Sequence, residues 1–401
     1  MMSNGHARAA NTDLMWPFLL RLILRNCLRH PLRTSLTVLG IVVAITAFGL
    51  LRTTIDAWYA GADASSASRL IVRNKNSLTF SLPLYYRGRI EQLEGVKSVS
   101  YADWFGGIYI APKNFFPRFA VEPRSYFELY PEFVVPPEQM KAFLLDRRGA
   151  IVGRKTAEKY GFKIGDQIPI IGDIFPGNWS FVLRGIYHGA DSKTDESQFF
   201  LQWDNLNETM KKLAPDHANE VGIFLIALDQ PEDAPLIAQR VDKLFANSRA
   251  ETLTETEKAF QLSFVAMTEA ILTVIQIVSF LIIVIIMAVM ANTMAMTARE
   301  RRSEYATLKA IGFNDSHVVA LIAGESLLIS LSAGAIGIWL LYPLAEWVGQ
   351  RFGSIFPIFL VAPRTPLLAA AMALLIGVVA AITPSWRAST LKVAEGFRGI
   401  G

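Results

Sequence analysis

Residues 270–290 read AILTVIQIVSFLIIVIIMAVM, a run without a charged side chain. Its length matches the roughly 20 residues with which an α-helix crosses a hydrocarbon core. In lipid only a helix satisfies its own backbone, so the stretch predicts a transmembrane helix and not a buried strand. No Gly or Pro stops it, and the helix is predicted to continue through ANTMAM (291–296) into the charged segment TARERRSEYATLK (297–309). The first break signal is Gly312, in IGF (311–313). A membrane helix that delivers a short charged helix to one side of the bilayer implies coupling to a soluble partner.

Composition agrees. Of 401 residues, 52% are hydrophobic and 18% charged, and mean hydropathy is +0.32. That is too apolar for a water-soluble chain and too charged for one wholly in lipid, so a few spans and a water-facing domain are predicted. Lys and Arg gather at the membrane flanks, and the net charge is only +4, so no nucleic-acid partner is expected. The single Cys27 excludes internal disulfides and multi-cysteine metal sites. Lying before the first apolar run, it reads as a small buried or interfacial residue.

Residues 1–34 are expected to form a cytoplasmic N-terminal amphipathic helix at the membrane interface, after a polar start that is expected to fray. Arg21, Arg25, Arg29 and Arg33 recur every four residues and form a cationic stripe, expected to meet lipid headgroups. A first span at 35–55 follows, capped outside by Arg52 and Asp56; it lies too far in for a cleaved secretory signal. The second span with its stalk is placed at 263–296, the third at 317–343 and the fourth at 366–384. Three basic groups then fall on one side of a four-span topology: the four arginines, those between 299 and 309, and Arg387, Lys392 and Arg398. By the positive-inside bias that side is cytoplasmic, with both termini, the 297–316 loop and the 385–401 tail. The loops at 56–262 and 344–365 are outside.

The larger loop alternates strand-like and helix-like stretches, enough for a substantial α+β domain. Strands are expected at 70–73, 99–101, 107–110, 119–121, 150–152, 167–171, 180–183 and 221–226, and helices at 86–93, 137–145, 154–160 and 234–246. Turn signals crowd 140–210, which could be an inserted lobe. Residues 251–269 are helical by composition and should extend the second span into a long rod. The fold class is therefore four transmembrane α-helices with a large α+β extracytoplasmic (periplasmic) domain between helices 1 and 2.

Few residues suggest chemistry. GAIVGRKT (149–156) resembles a phosphate loop, but its second Gly comes one residue early and Arg154 precedes Lys155. The five histidines are scattered, without metal-ligand spacing. No catalytic residue, metal site or cofactor is assigned to the chain. Three intramembrane polar residues, Gln276, Asn292 and Glu325, are costly in lipid. Each is either a contact that moves during a cycle or interhelical glue. In the 297–313 segment Tyr305, Leu308 and Ile311 share a face. Glu300 and Glu304 form an i, i+4 like-charge pair that costs a little unless partnered. A helix made only for anionic lipid would not need those two glutamates, so a protein partner is expected.

Four stretches resemble the MacB/FtsX-type ABC transporter permeases, including the LolC/LolE lipoprotein-release permeases. They are LRNCLRHPLRT (24–34) leading into LTVLGI (36–41), ANTMAMTARERRSEYATLKAIGF (291–313), GESLLIS (324–330) and PSWRAS (384–389). The order of one span, a large outer domain and three spans is also that family's. VAEGFR (393–398) departs from the family's Pro-Ile/Val-Glu-Ala-Leu-Arg ending. The resemblance implies a cytoplasmic ABC ATPase subunit that binds ATP and Mg, a second permease copy as homo- or heterodimer, and an optional periplasmic adaptor, all in a bacterial inner membrane. It maps the ATPase-coupling helix to Arg299, Glu300, Arg301, Arg302, Glu304, Tyr305 and Lys309.

Two functions follow from the resemblance. One is ATP-driven mechanotransmission that exports or extracts a hydrophobic, lipid-like or envelope-active substrate at the periplasmic face. The other is a non-transporting regulator of a cell-wall hydrolase or sensor kinase, FtsX- or BceB-like. The apolar outer loop FGSIFPIFLV (352–361) either lines an entrance for lipid or packs on the bilayer surface.

Overall fold

The computed structural model describes residues 21–353 and 356–390. The expected helix before residue 21, Ser354 and Ile355 of the outer loop, and the tail from 391 lie outside them. Two compact units divide the chain.

The membrane unit holds residues up to Asp56, 270–348 and those from Phe359 on. Four helices are long and apolar enough to span: Pro31–Ala64, Glu269–Glu300, Asp315–Phe352 and Arg364–Ser389. The amphipathic segment is not one helix to Arg33. Residues 21–27 are helical, 28–30 turn, and the first span starts at Pro31, whose ring suits a first helical turn. Small residues let the helices approach. A Cβ on Gly334 would sit 2.5 Å from Ala373, and one on Gly377 would sit 2.2 Å from the Ser330 hydroxyl. Interhelical hydrogen bonds add to this, from Ser326 Oγ to the Gly377 carbonyl at 2.7 Å and from Thr46 Oγ1 to the Gly337 carbonyl at 3.0 Å. At the far end Asp56 joins spans one and four, accepting from Arg364 at 2.7 Å. The second helix is the least covered, and Ile271, Val274, Ile277, Phe280 and Ile285 face outward.

The second unit holds 57–269 and 349–358. Its centre is a ten-stranded sheet in the order β12-β1-β11-β3-β4-β9-β6-β8-β5, with β7 on β8; β2 pairs with β10 apart from it. The strands are β1 (Arg69–Asn74), β2 (Leu82–Pro83), β3 (Val96–Trp104), β4 (Arg118–Val121), β5 (Phe133–Val134) and β6 (Gly149–Gly153). They continue with β7 (Gln167–Gly172), β8 (Gly177–Gly189), β9 (Phe199–Gln202), β10 (Glu220–Val221), β11 (Ile223–Leu228) and β12 (Thr252–Thr256). Both faces are buried, which is why runs such as Ile151–Val152 and Phe199–Phe200–Leu201 are continuous and not alternating. Leu70, Val72, Phe199, Leu201, Phe224 and Ile226 enter one core with Trp203, Ile237 and Val241 of covering helices. Ile71, Phe200 and Leu225 enter the other with Tyr126, Phe127 and Phe143.

Several expectations need correction. Residues 107–110 are not a strand: Gly106, Gly107 and Ile110 all take positive φ, and a single bridge from Ile108 to Ile171 is all that remains. Residues 252–256 are a strand and not helix, because buried Thr252 and Thr254 pair back to Asp242 at 2.9 and 2.7 Å while the backbone joins β1. The 140–210 segment is no separate lobe, since β9 pairs in parallel with β4 and carries β6 and β8 into the same sheet. Nor does 251–269 extend the second span. The helix Glu257–Met267 ends at Thr268, whose hydroxyl turns back to the Val265 carbonyl at 2.9 Å, and Glu269 starts a new helix.

Candidate functional site

Within the membrane unit, charge collects around residues 297–313. The second span does not run on to Gly312. It stops at Glu300, Arg301 takes φ −101° and ψ 18°, and a separate helix, Arg302–Ala310, follows. No Gly or Pro marks this elbow. Its cause is a buried charge: Arg301, only 4% exposed, sends Nη1 to Glu325 Oε2 at 2.8 Å and Nη2 to the Asn26 carbonyl at 3.1 Å. An interior guanidinium without its carboxylate would be severely destabilising, so the backbone bends to supply one. One residue thereby ties together the turn, the third span and the segment before the first.

Two arginines of the expected lipid stripe are also drawn in. Arg33 makes a two-pronged contact with Glu300 at 2.7 and 2.8 Å, and Arg29 pairs with Glu304. Bidentate geometry holds the first pair in a fixed orientation, and both neutralise the Glu300/Glu304 repulsion. Arg21 and Arg25 remain exposed.

The seven proposed coupling residues therefore divide. Arg299, Glu300 and Arg302 are exposed and Glu304 is half-exposed, whereas Arg301 and Tyr305 are buried. Burial and the nearby Glu325 carboxylate push the Tyr305 phenol up to about 12, so it stays neutral. Lys309 bonds the Ala388 and Ser389 carbonyls at 2.9 and 3.0 Å, closing the C-terminal end of the fourth span. Ile311, 71% exposed, stands beside Gly312, whose φ of 107° turns the chain. Of the intramembrane polar residues Glu325 is buried, and Gln276 and Asn292 are exposed on the second span. Sequence reading missed the carbonyl of Asn26 and the pairing of Asp56 with Arg364. The phosphate-loop-like stretch is β6 followed by the helix Arg154–Tyr160, and Lys155 bonds the Pro357 carbonyl at 2.7 Å.

Residues 34–244 match the MacB-like periplasmic core domain, and residues 276–393 match the FtsX-like permease C-terminal family. The chain belongs to the FtsX/MacB-like family of ABC transporter permeases. This permease is 22% identical over 398 residues to an uncharacterized ABC transporter permease of Methanocaldococcus jannaschii, covering 94% of this chain and 96% of that one. It is 25% identical over 212 residues to an uncharacterized ABC transporter permease protein of Mycobacterium tuberculosis, covering 53% of this chain and 23% of that one. Among solved structures it is similar to the extracellular domain of the noncanonic ABC-type transporter YknZ from Gram-positive bacteria (13% identity, TM-score 0.35, 47% of this chain and all of that one). It is also similar to the periplasmic region of MacB from Actinobacillus actinomycetemcomitans (7% identity, TM-score 0.36, 50% and 94%). At these scores the structural likeness adds nothing to the family match. The permease is thus a multi-pass membrane protein with a periplasmic-type α+β domain between its first two spans, and its family implies a partner ATPase.

Proposed function

We propose that this permease works by mechanotransmission. A separate cytoplasmic ATPase, which binds ATP and Mg, docks on the exposed rim formed by Arg299, Arg302 and Ile311 and drives export or extraction of a hydrophobic or lipid-like substrate at the outer face of a bacterial inner membrane. The observation that carries this is the Arg301–Glu325 pair. A push on the short helix Arg302–Ala310 cannot be absorbed locally, because its first turn is fastened to the third span and to the segment before the first. The first span offers a stiff path onward: its 34 residues, at about 1.5 Å each, make a rod of about 50 Å, well beyond the roughly 30 Å hydrocarbon core. Pairing with a second permease copy, and with a periplasmic adaptor where one exists, belongs to the same reading.

Co-purification of the tagged full-length chain from native membranes, with the ATPase identified by mass spectrometry and its turnover measured, tests the proposal. Arg302→Glu combined with Ile311→Asp should cut ATPase recovery about tenfold or more, as loss of a central anchor does. Undiminished recovery would overturn the docking surface.

A further inference from the structure

A cavity of about 780 Å3 lies within the α+β unit, beneath the sheet face that carries Ile71, Ala102 and Leu225. That volume falls in the range of small-molecule sites. Its walls combine two chemistries. One part is aromatic: Trp58 and Phe356 meet edge to face at 5.1 Å, and Phe260 and Phe133 line the space nearby. The other part is ionic and lopsided. Among the described lining residues, five are carboxylates and two are basic.

The basic side chains do not balance this. Arg69 is already spent, held by Glu132 at 2.6 Å and Glu257 at 2.7 Å, with its guanidinium 4.2 Å over the Tyr130 ring. Glu257 is saturated in turn by the Ser66 amide and the Tyr130 hydroxyl. Lys193 is the other cation, exposed on the rim. Asp63 faces Lys258 Nζ at 4.0 Å. Asp191 and Asp195 remain, and among the described residues they accept only neutral donors, from Lys193 N, Thr194, Ser197 and Gln198. An anion would meet uncompensated negative charge here. A positive group would meet carboxylates on one side and ring faces on the other, the arrangement that Arg69 and Tyr130 already use.

We infer that this cavity binds an amphiphilic cation, a positively charged head on a bulky apolar body. The reading of the chain as a transporter makes that occupant cargo; the chemistry of the cavity stands without it. The test uses the full-length chain in phosphatidylcholine nanodiscs without nucleotide or ATPase, so a failure of coupling cannot mimic a failure of binding, and the reverse holds as well. Equilibrium dialysis, with empty discs subtracted, compares tetraphenylphosphonium with its isosteric anion tetraphenylborate. The phosphonium should show one saturable site and the borate none. Asp191→Asn with Asp195→Asn should weaken phosphonium binding about tenfold, and Lys193→Glu should tighten it several-fold. The gain in Lys193→Glu cannot arise from misfolding, so this variant decides the matter even if the double variant unfolds. Saturable borate binding, or phosphonium binding that Lys193→Glu leaves unchanged or weakens, would overturn the inference.

Discussion

Arg301 shows how one side chain can set a backbone. Its pair with Glu325 is buried on both sides, and removing one member leaves the other as an uncompensated interior charge, at a cost of about 3–5 kcal/mol. Arg301→Met or Glu325→Leu alone should therefore lower the melting temperature of the purified chain markedly. The double variant should recover much of the loss while the elbow at 301 relaxes towards helix. A double variant as unstable as the sum of the singles would show that the pair does not act as a unit. Asp103 makes a different statement. It accepts from Trp203 Nε1 at 2.7 Å, yet burial pushes its carboxyl up to about 7. Between its ordinary 3.8 and 7 the unfolded chain has lost this proton while the folded domain keeps it. Unfolding releases a proton there, so stability falls as pH rises through that window and levels off above it. The loss between pH 5 and 8 should be roughly 3 kcal/mol. Asp103→Asn, with no proton to exchange, should remove this component of the pH dependence, as read by the fluorescence of Trp203 during unfolding at several pH values.

Elements were legible in the sequence where length or periodicity was unambiguous. The four spans needed only their apolar runs, and the helices at 137–145 and 154–160 fall where their spacing predicts. What was hidden depended on partners distant in the chain. Thr252, Thr254 and Thr256 do alternate, a strand signal, but Glu251, Glu255, Glu257 and Lys258 in and around them mimic a helix until Asp242 and β1 are in place. The breaks at Thr268 and Arg301 carry no Gly or Pro; one follows from a hydroxyl turned back on its own helix, the other from a carboxylate 24 residues away. Of the candidate site, the segment could be read but the inward or outward aim of each residue could not, because i, i+3 spacing assumes a helix that the elbow interrupts. Close packing of small residues makes an element-scale prediction. Gly377→Leu places carbon where Ser330 and Leu327 already stand, and overpacking of this kind typically costs about 1–3 kcal/mol. The variant should reach the membrane in lower yield and melt earlier, whereas Gly165→Ala, with open space around it but a φ of +97°, should show a smaller loss.

For the whole molecule, topology is the first thing to measure. In a Cys27→Ser background, Arg302→Cys and Lys163→Cys should react with a membrane-impermeant maleimide from opposite faces, 302 only after the inner surface is opened. Labelling of both from one side would contradict the four-span arrangement of the loops. The latch of Arg29 and Arg33 on Glu304 and Glu300 lies at the edge of the membrane unit, and its members are partly exposed, so salt screens it. In Arg33 both Nη atoms are already engaged by Glu300. A leaflet rich in phosphatidylglycerol or cardiolipin would compete with the two glutamates for these arginines, so the grip between the first segment and the short helix should loosen as anionic lipid is raised. The composition of the bilayer would then be one of the conditions that set how firmly this corner of the membrane unit is held.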